Sequence, residues 1–470
     1  MKAAFINPSM GDYYRDAKVQ AAITLSPPLN LAVIAAAARR GGHPVCALDL
    51  EGQPEMLEEA AFVAWLRRER PDLVGISFRT PLFPQARRLA EIAREVLPDA
   101  MLVAGGVHPS TRPRETVTRA PFDVAVRGEG DEAIVELLDG KDPAAVQGVT
   151  CRGGAETPAR VLIPDLDVLP MPAWDLFDLR RYSSRSLVAK IAPVADLESS
   201  RGCRARCVYC TKGVFGNQYR VKSPARMVDE VEHARAAGFR AFNLVDDSFT
   251  TLTSRSIAVC EELMRRETRM PWTLTNGIRV ANVNEEFFRV ARAAGCYLLA
   301  FGFESGSDEV LKRIKKGATT RQAVRAVQWA RKYGFTILGY FMVGLPGETE
   351  ETIAETARFA ASLDVDYAKF SITMPLPGTP LYEQWRPYIR DESKHDFSIH
   401  KPEPSLYDHP DFRWEDLERH TKAAYRTFYG RPKYVAKRVL RSIKRGEILR
   451  EARYGLDFGV NSAMTAFNRR

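Results

Sequence analysis

Ser199-Ser200-Arg201-Gly202-Cys203-Arg204-Ala205-Arg206-Cys207-Val208-Tyr209-Cys210 gathers three of the chain's seven cysteines into one short loop. Three thiolates at this spacing can hold three corners of an iron-sulfur cube and leave the fourth iron open to bind a substrate. Arg201, Arg204, Arg206 and Lys212 surround the thiolates and are expected to offset their charge, which tunes reduction potential. A structural zinc site would need a fourth closed ligand, and the next cysteine, Cys260, lies a whole structural unit away. A disulfide framework is disfavoured by the odd cysteine count and the lack of a secretory leader.

The cysteine spacing resembles that of the radical S-adenosylmethionine superfamily. The resemblance implies a 4Fe-4S cluster on Cys203, Cys207 and Cys210 whose open iron chelates S-adenosylmethionine, with Tyr209 packed near the adenine. Downstream, apolar runs at 242–245, 272–275, 297–303, 337–343 and 367–373 alternate with helical patterns. With the strand before Cys203 they make six units, which resemble a partial (β/α)6 barrel of TIM type. Barrel chemistry sits at the carboxyl ends of strands, and those ends are polar here. By resemblance, Asp246 and Asp247 lie near the amino-acid end of S-adenosylmethionine and Glu304 and Ser305 near its ribose. The turn from Gly344 to Gly347 lets backbone approach adenine, and Arg279 is a candidate carboxylate partner, with a rim salt bridge as the alternative. Cys260 and Cys296 read as buried small residues, and no cysteine follows Cys296 to hold an auxiliary cluster.

Upstream, five short apolar runs between residues 3 and 126 are separated by helical patterns, which predicts a doubly wound, Rossmann-like α/β domain with a parallel sheet. Its ligand crevice should lie at the carboxyl ends of the strands, where Ser77, Arg79 and Gly105-Gly106 fall. This arrangement resembles the cobalamin-binding domain, with Ser77 and the double glycine accepting the cofactor's nucleotide tail. None of the seven histidines has an aspartate two residues before it, so the resemblance is to enzymes whose cobalamin lacks a histidine below cobalt. Arg79 is then a candidate for that lower side, and His108 reads as a polar loop residue.

The expected domains are 1–140 for cobalamin, 141–190 as a proline-rich linker, 191–385 for the radical core and 386–470 as a helical basic tail. Net charge is +9, of which +7 falls from Arg386 onward, so the main body gives little reason to expect nucleic-acid binding. In the tail, Ala436, Val439, Leu440 and Ile443 share a helical face against Lys437, Arg438, Arg441, Lys444 and Arg445. Such a helix can lie on an anionic membrane or pack on its own domain. The longest apolar stretch is too short to span a bilayer, and a cytoplasmic protein, peripheral to the membrane at most, is expected.

The whole pattern implies a cobalamin-dependent radical enzyme fed by a flavodoxin or ferredoxin type electron donor. Methylation of an unactivated carbon on a small-molecule or lipid-like substrate is the expected reaction, with the basic tail favouring a lipid. In it one S-adenosylmethionine is cleaved to a radical that removes a substrate hydrogen, and a second recharges cobalamin with methyl. Cyclisation, oxidation or rearrangement without methylation is the alternative.

Overall fold

The computed structural model describes residues 1–10, 25–183, 186, 189–390, 406–444 and 446. Strands β1 (Ala3–Asn7), β2 (Val45–Asp49), β3 (Leu73–Ser77), β4 (Met101–Gly105) and β5 (Val124–Val126) form a parallel sheet in the order 2-1-3-4-5. Ala4, Ile6, Val74, Ile76, Leu102 and Ala104 point to one face and Ala3, Phe5, Leu73 and Val103 to the other, and helices cover both. Both faces are therefore apolar, as a doubly wound sheet requires. A sixth strand, β6 (Val149–Cys151), pairs antiparallel with β5 and lies inside the stretch expected to be linker. Three residues among glycines and prolines are too short for alternation to reveal.

The rest of the 152–183 segment straps the two domains. Tyr182 Oη donates to Asp49 Oδ2 at 2.7 Å, Trp174 packs edge-on against Phe239 at 5.1 Å, and Arg39 pairs with Asp175 at 2.7 Å.

The second sheet holds β7 (Val194–Leu197), β10 (Ala241–Leu244), β11 (Trp272–Ile278), β12 (Cys296–Glu304), β13 (Thr336–Val343) and β14 (Tyr367–Ile372). All pairings are parallel and sequential, and β7 and β14 are the open edges of a six-stranded partial barrel. Along β13, Ile337, Gly339, Phe341 and Val343 are buried under helices, while Leu338, Tyr340 and Met342 are half-buried on the inner wall. Helices start on side-chain caps where the sequence supplies them. Ser223 accepts from Arg226 N, and Thr319 with Gln322 forms a capping box. Cys260 and Cys296 are fully buried in this core, as their apolar surroundings implied.

Two elements close the ends. A small antiparallel ribbon, β8 (Ser200–Arg201) with β9 (Arg220–Val221), staples the base of the cysteine loop. On the far edge, helix Trp414–Tyr429 covers β14. Tyr429 Oη bonds Ala368 N and O at 3.0 and 2.9 Å and Tyr425 Oη bonds Phe370 N and O, both at 3.2 Å, which satisfies an edge that could otherwise pair with another chain.

Helix Pro432–Lys444 reverses the orientation expected of an amphipathic tail. Arg438 and Arg441 turn inward to Asp366, and Lys437 and Arg441 reach Asp364, each at 2.7–3.2 Å. Val439, Leu440 and Ile443 remain exposed. No described helix is long and apolar enough to cross a membrane.

Candidate functional site

The cysteine loop leaves β8 through Gly202, whose φ of 84° is left-handed and whose missing Cβ would strike the Gln218 carbonyl oxygen. Cys203 and Cys207 are buried with Ala205 against Tyr209, whereas Cys210 lies at the loop's exposed edge. Cys210 is close enough to feel Lys212, Asp247, Cys207 and Cys203 electrostatically. Lys212 also donates to Cys203 O at 2.9 Å and so braces the loop. No three His, Cys, Asp or Glu side chains among the described residues converge on a single metal ion.

The arginines around the loop divide in a way spacing did not reveal. Arg201 does not serve the cysteines: its guanidinium is buried against Glu129 at 2.9 Å, Asp131 at 3.0 Å and Glu198 at 2.7 Å. Arg220 joins Glu129 at 2.9 Å, and Glu129 Oε2 also accepts from Ile163 N. This buried network ties the first domain to the base of the loop. Arg204 and Arg206 are exposed.

Asp246 and Asp247 separate. Asp246 is buried and accepts from Ser199 N at 2.7 Å and from the Ser199 and Ser200 hydroxyls at 2.5 Å, so it anchors the start of the loop. Asp247 faces the cavity described below. Its side chain reaches solvent, yet the cavity walls around it chiefly, with Glu198 adding repulsion, push its carboxyl up.

Glu304 ends β12 in the left-handed region, φ 66°, which turns its carboxylate over Gly302 on the inner wall. There Lys316 Nζ donates to Glu304 Oε1 at 2.7 Å and to Tyr209 Oη at 3.2 Å. Lys316 links the cysteine loop to the barrel, and sequence reading missed it because nothing local pairs a lysine with a tyrosine 107 residues away. Arg279 lies beside this group, donating to the Lys316 carbonyl. Ser305 is buried against Thr356, with 3.0 Å between the hydroxyls. Glu348 accepts from Gly344 N and Leu345 N, which fixes the glycine turn, and a Cβ at Gly347 would strike the Arg313 guanidinium.

A cavity of about 670 Å³ opens between the carboxyl edge of the first sheet and the barrel mouth. Ser77, Arg79, Gly105 and Gly106 line one side, with Asp196, Glu198 and Asp247 on the other and Thr211 to Gly216 between. A Cβ on Gly105 would meet nothing within 4 Å, and one on Gly106, φ 98°, would strike Phe78 backbone. The pair thus forms a bare floor against which a large flat ligand can lie. Ser77 Oγ accepts from Asn30 Nδ2 at 2.8 Å, and Arg79 is exposed at the rim. His108 is no loop residue: it is buried, stacked on Phe83 at 4.5 Å, and burial holds its imidazole neutral, down to about 3. The three thiols are a donor set that fits an iron-sulfur cluster, the bare floor fits a corrinoid, and Thr211 to Gly216, directly after the thiols, line the same cavity as that floor.

A family model for the radical SAM superfamily matches residues 197–360, and one for the B12 binding domain matches residues 21–138. An uncharacterized methyltransferase of Pyrococcus horikoshii is 31% identical over 454 residues, covering 92% of this chain and 94% of that protein. This chain belongs to the cobalamin-binding radical S-adenosylmethionine enzymes. The anaerobic magnesium-protoporphyrin IX monomethyl ester cyclase of Cereibacter sphaeroides is 28% identical across 79% of this radical enzyme, which spans 62% of the cyclase. The hopanoid C-3 methylase of Methylococcus capsulatus is 26% identical across 90% of it. Among solved structures, the cobalamin-dependent radical enzyme OxsB with aqua-cobalamin bound superposes with a TM-score of 0.72 over 90% of this radical enzyme, at 18% identity and covering 66% of OxsB. Methyltransferase TsrM from Kitasatospora setae, with cobalamin and cluster, gives 0.66 over 82%, at 24% identity and covering 78% of TsrM. The doubly wound domain followed by a partial barrel is thus a shared architecture.

Proposed function

We propose that this enzyme transfers a methyl group to an unactivated carbon of a small molecule held inside the barrel. The observation that supports the reading is a cavity lined both by the double-glycine floor and by Thr211 to Gly216, the segment directly after the cysteine loop. When bound, the cluster with S-adenosylmethionine supplies the hydrogen-abstracting radical, and cobalamin supplies the methyl group.

The protein's own residues divide the remaining work. Cys203, Cys207 and Cys210 hold the cluster. In this reading Tyr209, Arg279, Glu304, Ser305, Gly344 and Gly347 serve the adenosine of S-adenosylmethionine, and Asp247 offers a carboxylate to its cationic sulfonium or ammonium. Asp246 acts through Ser199 and Ser200, by positioning the loop. Ser77, Gly105 and Gly106 receive the corrinoid's tail, with Arg79 at the rim. Exposed Arg204 and Arg206 beside Cys210 give an acidic flavodoxin or ferredoxin an approach to the cluster. Any contact with a bilayer would use Val439, Leu440 and Ile443, since the inward basic groups are already paired.

The test is anaerobic reconstitution with iron, sulfide and hydroxocobalamin, followed by assay of 5′-deoxyadenosine and S-adenosylhomocysteine with S-adenosylmethionine and reductant. Both products, with deoxyadenosine lost in Cys207→Ala, support methyl transfer. The similarity to the cyclases over most of the chain favours one second reading, ring formation without methylation. Deoxyadenosine with substrate turnover and no homocysteine product would select it.

A further inference from the structure

The inner wall of the barrel carries an in-register row of residues on each side of the register shift between β11 and β12. Asp196 on β7 is in register with Asn243 on β10, and Asn243 with Thr273 on β11. On the other side Gly302 on β12, Tyr340 on β13 and Lys369 on β14 are aligned. Hydrogen bonds run along it. Asn243 Nδ2 donates to Asp196 at 2.9 Å, Thr273 and Thr275 donate to Asn243 Oδ1 at 2.9 Å, and Tyr340 Oη donates to Thr275 O at 2.9 Å. Above Gly302, Glu304 is matched by Lys316.

Lys369 breaks this pattern of mutual satisfaction. Among the described residues it has neither a hydrogen-bond acceptor nor an ion-pair partner, and the side chains of its neighbours Ala368 and Phe370 are buried in the core on the other face of the strand. Lys369 is half-buried and its ammonium is not fully enclosed, so an external anion can reach it and pair with it. Burial alone lowers the Lys369 pKa, and no carboxylate opposes it. An all-hydrocarbon substrate, such as the lipid favoured from the tail's charge, would leave this cation without a partner. At the opposite edge of the barrel Asp196 lines the large cavity.

We propose that Lys369 anchors an oxyanion of the substrate, a carboxylate or a phosphoryl group, on the inner wall of the barrel. This deepens the reading that the barrel interior is the substrate chamber.

Trace acetylation of each lysine by acetic anhydride, followed by mass spectrometry, tests it on the reconstituted enzyme with S-adenosylmethionine bound throughout. Succinate or inorganic phosphate, at about ten times its dissociation constant, should slow labelling of Lys369 about tenfold and leave surface lysines unchanged. Protection by succinate alone marks a carboxylate site, and protection by phosphate alone a phosphoryl site. The same anions should raise the melting temperature of the wild type and of Lys369→Arg, but not of Lys369→Met. No protection by either anion, or equal slowing of every lysine, would overturn the assignment. Neither readout needs turnover, so anion protection without a methylated product would count against the methyltransferase reading alone.

Discussion

Glu348 holds the turn that carries Gly344 and Gly347 through one carboxylate oxygen, and its other oxygen is buried without a partner. Burial raises its carboxyl from 4.5 to about 7, against the two backbone hydrogen bonds that lower it. The folded value lies above the unfolded one, so across that window the folded chain keeps a proton that the unfolded chain releases. Stability therefore falls as pH rises from 4.5 toward 7, by about 3 kcal/mol from this group alone. Glu348→Gln keeps a carbonyl acceptor for both amides, and urea unfolding midpoints should lose that component of the pH dependence. At this scale the sequence shows which residues stand together where the grouping is local, as with the three cysteines on one loop and the double glycine that lines the cavity. It was not legible for Lys316 or Lys369, because having or lacking a partner is decided by strands far apart in the chain.

The cysteine loop depends on an element too short to announce itself, the two-residue ribbon of β8 and β9. Gly202→Ala places a Cβ against the Gln218 carbonyl and forces a left-handed alanine, about 1–2 kcal/mol for the backbone alone. The expected outcome is a chain whose iron content and visible absorbance after reconstitution fall well below wild type, with the barrel otherwise folded by circular dichroism. The last helix makes the complementary case. Its amphipathic period was plain, but the face it buries is chosen by Asp364 and Asp366, just before β14, which no local pattern connects to Arg438 and Arg441. Burial works to raise the Asp366 carboxyl, and Arg331 with Arg438 outweighs it, so the group sits below its ordinary range. Asp366→Ala would leave these guanidiniums without their buried counterion, at about 3–5 kcal/mol. Hydrogen exchange across residues 432–444 should rise sharply.

The molecule as a whole is two sheets whose carboxyl edges face one another across the cavity, held there by Glu129, Arg201 and Arg220. The two-domain architecture could be read from the alternation of strands and helices, since parallel sheets buried on both faces write continuous apolar runs. The clamp could not, because Glu129 lies 72 residues from Arg201. Glu129→Gln keeps the shape but removes the charge between two buried guanidiniums. Weaker cobalamin retention on gel filtration and faster proteolysis between residues 152 and 165 are expected, with the melting temperature lowered.

That clamp also sets an order of events. A chain emerging from the ribosome completes residues 1–151, all six strands of the first sheet, before Arg201 exists, and domains fold as units in the order they are made. Glu129 and Asp131 are thus already fixed on a finished scaffold when the ribbon is synthesised, and the loop closes onto a template rather than searching for one. Maturation of the iron site in the cell then follows translation of the corrinoid domain, and a nascent chain stalled before Arg220 would present its thiols without the ribbon that arranges them.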